Sequence, residues 1–270
     1  MLIFNRPTSR KLSLNTLPKF PRIDRDFVES GRPTNTGHFT RLVRLGPVIL
    51  SHRGNIDGAA GEAENSVAHC RRALALGFGL ETDLRRTADG RFYISHDPVA
   101  VTQANSLDTY LPLIASHPTA VFALNIKELG YEAELVRLRQ TGMFCIASFY
   151  FDFELLEPTT PGRAQRSLRA LSGGAKPRLA ARISDRGESV EQALSIPAEV
   201  IWADEFDRFW LTEDVIEHLK EAGRSVFAVS PELHGFDRDA RLSRWADFKR
   251  WKVDGICTDY AREARGYFDT

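Results

Sequence analysis

Cysteine is scarce in this chain. There are three in 270 residues, and Cys70, Cys145 and Cys257 stand far apart within apolar runs. No pair has the spacing of a metal-ligand set, so buried, reduced thiols are expected, which points to an intracellular setting. Net charge is also missing: 36 basic and 36 acidic side chains cancel. That balance argues against nucleic-acid binding and against a polybasic membrane anchor, while leaving room for a local basic pocket. No window approaches the roughly 18 apolar residues of a membrane helix. The opening "MLIFNRPTSRKLSLN" has too short an apolar stretch for a signal peptide. A cytoplasmic protein with no stable membrane anchoring is therefore expected. A glycine-rich dinucleotide turn is absent as well, which removes the main support for a doubly wound open sheet.

Hydrophobic residues make up 43% and charged residues 27% of the chain, ordinary values for a globular protein. Residues 1–45 are rich in Arg, Pro, Thr and Asn with little periodicity, and read as an irregular N-terminal extension. From residue 46 to 270 short apolar runs alternate with helical stretches. The candidate strands are "VILSH" (48–52), "GLETDLR" (79–85), "VFALNIK" (121–127), "MFCIASFY" (143–150), "RLAARIS" (178–184), "EVIWADEF" (199–206), "SVFAVSPE" (225–232) and "DGICTDY" (254–260). One helix is expected after Asn65 or Ser66 as N-cap, with Val67, Cys70 and Leu74 on one face. Others are expected over 132–141, 162–172, 189–194, 212–223 and 241–252. Eight strands alternating with helices predict an α/β fold, a (β/α)8 TIM barrel.

Almost every candidate strand ends in polar groups: His52, Glu81 with Asp83, Asn125 with Lys127, Ser148, Ser184, Asp204 with Glu205, Ser230 with Glu232, and Asp259. In a barrel these ends converge on one mouth, where active sites are built. Glu81 and Asp83 lie two apart on a strand and so share a face. Two adjacent buried carboxylates need either a cation, Mg²⁺ or Ca²⁺ by ligand chemistry, or arginine partners such as Arg53 or Arg85. His52 ends the first strand, and His96 follows the strand-like "RFYIS" in "ISHDP". Two imidazoles at one mouth suit the acid and base of phosphate-ester cleavage near neutral pH.

The ordered set "HRG" (52–54), "EN" (64–65), "GLETD" (79–83), "DG" (89–90), "HD" (96–97), "NIK" (125–127) and "TDY" (258–260) resembles the glycerophosphodiester phosphodiesterase family. That family belongs to the phosphatidylinositol-phosphodiesterase-like barrels, which also include the sphingomyelinase D enzymes. The resemblance is dense over residues 48–100 and covers about four fifths of the chain. It implies a metal-dependent hydrolase of a small phosphodiester. His52 and His96 would act as general acid and base, Arg53 and Lys127 would bind phosphate, and Glu81 and Asp83 would ligate a divalent cation. Glu64 matches an acid near the metal. Asn125 stands where the family usually carries a third carboxylate, and an amide there brings an oxygen but no charge. Glu232 and Arg182 are further candidates, Glu232 as a substitute ligand and Arg182 as an added positive charge, or as the partner of Asp204 or Glu205. "FYFDF" (149–153) reads as packing around the fourth strand rather than as a membrane-facing ridge. Two other readings stay open: a non-catalytic barrel that binds a phosphometabolite, and a lipid phosphodiesterase of phospholipase C or D type. The substrate alcohol and the oligomeric state are not legible.

Overall fold

A computed structural model describes residues 46–172 and 176–270. The expected extension over residues 1–45 lies outside them. Eight parallel strands run in the order β1 (Val48–His52), β2 (Gly79–Arg86), β4 (Phe122–Ile126), β5 (Phe149–Phe151), β6 (Arg178–Ser184), β7 (Val200–Asp204), β8 (Ser225–Val229) and β9 (Gly255–Thr258). Pairing of β9 and of β2 with β1 closes the sheet, with Leu50 opposite both Cys257 and Gly79. A short strand, β3 (Phe92–Ile94), returns antiparallel along the end of β2. The architecture is the expected (β/α)8 barrel, with α1 (Val67–Ala75), α2 (Leu107–Ala115), α3 (Glu132–Gln140), α4 (Phe153–Leu156), α5 (Arg163–Leu171), α6 (Val190–Ser195), α7 (Glu213–Glu221), α8 (Arg238–Arg250) and α9 (Ala261–Phe268) on the connections. Among the described residues no helix is long and apolar enough to cross a membrane.

Strand alternation explains the two cores. Leu50, Ala123, Phe149, Phe151, Ala180 and Trp202 are among the side chains filling the barrel interior. Their outward-facing neighbours pack under the helices in a larger cluster that includes Ile49, Leu124, Tyr150, Leu179 and Ile201. Burial on both faces is why these strands read as nearly continuous apolar runs. Phe149 meets the Phe227 ring edge-on at 5.1 Å, and Phe151 lies 4.2 Å from Trp202. "FYFDF" is thus wall packing, as its sequence suggests. Gly255 is required by this core, because a Cβ there would stand 2.2 Å from the Phe227 ring.

Several expected boundaries shift. The run 143–150 contains only the start of a strand; β5 begins at Phe149, and Met143–Ser148 is a loop whose Ile146 is 87% exposed. Ser148 consequently stands at the base of the barrel, not at its mouth, and its hydroxyl accepts from the Phe122 amide. Asp152 takes the mouth position on this strand. The run 225–232 ends at Val229, and Pro231–His234 forms a 3₁₀ turn. Helix α8 starts at Arg238 because the Asp237 carboxylate accepts from the Ala240 amide at 2.8 Å. Helix α2 carries Pro112 within it, and α9 follows directly on β9. Neither stands out in the sequence pattern.

Candidate active site

The cluster begins where β1 ends. Leu50 is buried in the barrel, and two residues later His52 points the same way over the mouth. The chain then turns sharply through Arg53 (φ 50°) and Gly54 (φ 88°). A non-glycine residue with positive φ carries strain that is characteristic of functional turns. A Cβ at Gly54 would meet His69 at 2.9 Å, so helix α1 packs against this turn as closely as glycine permits. The Arg53 amide donates to the Glu81 carbonyl at 2.9 Å, and the Asn65 amide donates to the Arg53 carbonyl at 2.8 Å. Asn65 has φ 59° and precedes the N-cap Ser66. The strand end, the "EN" step and β2 are thereby knitted into one unit.

Side chains complete it. His52 Nδ1 donates to Asp259 Oδ1 at 2.7 Å, and its Nε2 lies 3.9 Å from Glu81 Oε2. Asn55 is fully buried and donates to both Asp259 Oδ1 (2.7 Å) and Glu64 Oε1 (2.9 Å), fixing the two carboxylates. Arg53 reaches Glu64 at 3.1 Å through Nη1 and Asp83 at 3.1 Å through Nε. Lys127 Nζ lies 2.9 Å from Asp83 Oδ1. Asn65 Nδ2 donates to Asp83 Oδ2 at 2.8 Å. Asp83 and Asn125 are register partners on adjacent strands.

Electrostatics follow from this packing. Burial drives the Glu81 carboxyl up, Asp83 beside it adds to the rise, and its pKa is pushed up to about 7. Asp83 goes the other way: burial opposes ionisation, but Lys127, Arg53 and Asn65 together hold its carboxyl below the usual range. For His52, burial disfavours the cation, yet the Asp259 hydrogen bond and the charge of Glu81 outweigh it and raise the pKa. The arginine alternative for the Glu81–Asp83 pair is therefore realised in part, through Arg53 but not Arg85. Arg85 pairs instead with Glu128.

Not every candidate joins the cluster. His96 stands at the rim with a 49% exposed side chain, its Nδ1 2.9 Å from Asp97. Among the described residues no hydrogen bond or ion pair links it to His52, Glu81 or Asp83. Glu232 bridges the ends of β8 and β9 by accepting from Ser230, Thr258 and the Asp259 amide. Those bonds make it a brace for Asp259, and its carboxylate is already engaged. Arg182 is buried on the opposite wall between Asp152 and Asp204, with His234 on Asp204. It pairs with Asp204, as one sequence reading has it, and with Asp152, which no sequence pattern indicates. Asn55 and Asp259 are the partners that sequence reasoning undervalues. Asp259 lies in "TDY", whereas an asparagine just past "HRG" gives no sign of its buried role.

Cation binding can be tested against the donor set. Glu81 Oε2, Asn125 Oδ1 and Asn65 Oδ1 are buried without a hydrogen-bond partner, and Asp83 Oδ1 meets only Lys127. Unsatisfied buried oxygens call for a partner, and an all-oxygen set fits a hard divalent cation. Among the described residues no group of three or more His, Cys, Asp or Glu side chains is arranged to hold a metal. The set here is two carboxylates supplemented by amide oxygens, with Asp83 already neutralised by two cationic side chains.

The structure is thus a closed (β/α)8 barrel whose mouth gathers an oriented histidine, two basic side chains and two buried carboxylates. No family model matches the sequence, and no curated protein matches it. Solved structures do. A provisionally assigned glycerophosphodiester phosphodiesterase from Galdieria sulphuraria is 19% identical with a TM-score of 0.64, covering 83% of this chain and 98% of that one. A glycerophosphodiester phosphodiesterase from Agrobacterium tumefaciens is 20% identical with a TM-score of 0.60, covering 82% and 98%. One from Thermotoga maritima is 17% identical with a TM-score of 0.54, covering 80% and 96%. The fold of this chain is the barrel that these phosphodiesterase structures share.

Proposed function

We propose that this barrel is a phosphodiester hydrolase acting on a glycerophosphodiester or a similar small diester. The observation that carries the reading is the His52 arrangement: Nδ1 is held by Asp259, and Nε2 is turned to a mouth that also presents Arg53 and Lys127. A metabolite-binding barrel needs positive charge at this place but no oriented imidazole. Phosphoryl transfer spreads charge over the equatorial oxygens, and the two cationic side chains oppose it. One imidazole accepts the proton of the attacking hydroxyl, from water or from a neighbouring substrate hydroxyl. The phosphorus–oxygen bond to the alcohol then breaks, and the other imidazole donates a proton to the departing oxygen. His52 and His96 fill these roles, with His96 moving in from the rim when substrate binds.

Glu81, Asp83 and Asn125 would hold a divalent cation, Mg²⁺ or Ca²⁺ by donor chemistry. When bound, it would supply positive charge against the developing charge of the phosphate. Asp259 fixes the His52 ring, Glu64 and Asn55 fix Arg53, and Lys127 screens Asp83 until phosphate arrives. One observation favours a lipid diester as second reading: Val99, Leu155 and Phe209 are exposed on connections that lead from strands to helices. The test is hydrolysis of bis(p-nitrophenyl) phosphate, glycerophosphocholine and a micellar lysophospholipid. Chelator-treated protein is assayed with Mg²⁺, Mn²⁺ or Ca²⁺ restored, beside His52→Ala. Metal-dependent turnover lost in the variant supports the hydrolase. Equal inertness of both proteins toward every diester would favour the binding barrel instead.

A further inference from the structure

We propose that Arg85 is a positioning residue for His96, an inference that rests on the hydrolase reading above. Arg85 sits on β2 two residues beyond Asp83, beside the return strand β3. Its guanidinium is used on three sides. Nε and Nη2 both donate to the His96 backbone carbonyl, at 2.9 and 2.7 Å. Nη1 is engaged by Glu128, whose other oxygen accepts from the Arg86 amide at 2.9 Å. Glu128 directly follows Lys127, so the fork ties the His96 segment to both strands that carry Asp83, Asn125 and Lys127.

The segment needs such a tether. Its base is closed by the Ile94 amide on the Asn105 carbonyl at 2.8 Å and by the Ser95 amide on the Asp83 carbonyl at 3.1 Å. From His96 to Ala100 every residue is exposed, and the side-chain bonds are local, such as Ser95 Oγ to the Asp97 carbonyl. No buried apolar side chain anchors this stretch between Ile94 and Leu107. The Arg85 fork therefore fixes where His96 starts its reach toward the mouth. A lysine, with a point charge in place of a planar fork, cannot hold the carbonyl and Glu128 together in this way.

A double-mutant cycle with a second, activity-independent readout decides the matter. Arg85→Ala is expected to lower kcat roughly 10- to 100-fold, within the range that a misplaced acid–base group costs. KM should move less than about threefold, because phosphate contacts are untouched. In a His96→Ala background, Arg85→Ala should cost less than about twofold more, since it acts through that side chain. Arg85→Lys should fall between Arg and Ala. Hydrogen exchange of the Ser95 and Thr102 amides, which are bonded to the Asp83 carbonyl and to Asn105 Oδ1 on either side of the loop, should quicken in Arg85→Ala while exchange in the middle of β2 and β4 is unchanged. Losses that multiply in the double variant, or loop exchange that does not change, would overturn the proposal. A wild type inert toward every diester would refute the hydrolase reading alone, and the exchange measurement would still decide whether Arg85 tethers the loop.

Discussion

Replacing Glu81 by glutamine should abolish turnover and at the same time make the metal-free protein more stable. Glu81 is 3% exposed and stands beside Asp83, and these two causes push its pKa up to about 7. A carboxyl whose ionisation is moved from its ordinary 4.5 to about 7 costs the folded state on the order of 3 kcal/mol once both states are ionised, at pH 8 and above. The sign follows from proton binding. The native state keeps a proton that the unfolded chain has lost, so stability is fully present below 4.5 and declines as pH rises through about 7. Glutamine keeps the shape and removes the titration, but its amide hydrogens need partners, which returns part of the gain. A net rise of about 1–3 kcal/mol at pH 8 is expected, or roughly 2–10 °C in Tm for a domain of this size. At pH 5 the gain should shrink below about 1 kcal/mol. Glu81 also attracts protonated His52 across 3.9 Å, so pH 8 is the cleaner comparison. The assay is thermal denaturation of chelator-treated wild type and Glu81→Gln at both pH values. A variant less stable than wild type at pH 8, or a difference that ignores pH, would refute the argument.

Other outcomes follow from the same geometry. Asp259→Asn removes the charged acceptor of His52 Nδ1. It should lower the His52 pKa and cut kcat about 10- to 100-fold, the worth of a hydrogen bond to a charged group. Because the His52 pKa is raised, the stability this bond adds is present below the ordinary histidine value and fades as pH rises through the folded one. The Tm gap between wild type and variant should therefore be larger at pH 6 than at pH 9. Asn125→Asp adds a third carboxylate beside Glu81 and Asp83 and should tighten Mn²⁺ binding about tenfold or more by titration calorimetry, since ligand charge sets affinity at oxygen sites. Gly255→Ala drives a methyl into the Phe227 ring and should cost about 1–3 kcal/mol or more in denaturant unfolding, the usual penalty for overpacking.

Much of this was readable because the barrel writes its strands as local patterns. β1, β2, β4, β6 and β7 lie within a residue or two of their expected bounds, since both-face burial makes continuous apolar runs bounded by polar ends. The fourth strand misled for the same reason. Met143–Ser148 is apolar yet precedes the strand, and no periodicity separates a base loop from a buried strand. Helix α2 was hidden by Pro112, a residue that argues against a helix interior. At the mouth, short-range motifs single out His52, Arg53, Glu81, Asp83, Asn125 and Lys127 at or next to strand ends and Glu64 in the loop after β1. What the chain could not disclose is pairing across long separations. Asp259 is 207 positions from the histidine it orients, and Glu128 is 43 from Arg85. Arg182 between Asp152 and Asp204 likewise exists only once three strands are adjacent.

Phosphorus NMR of glycerophosphocholine incubated with the Mg²⁺-loaded protein tests the central claim most directly. The diester resonance should be replaced by that of a phosphomonoester, or first by a cyclic phosphate, with wild type but not with His52→Ala. A diester signal that persists with wild type, or that decays equally with the variant, would contradict a hydrolase built around His52.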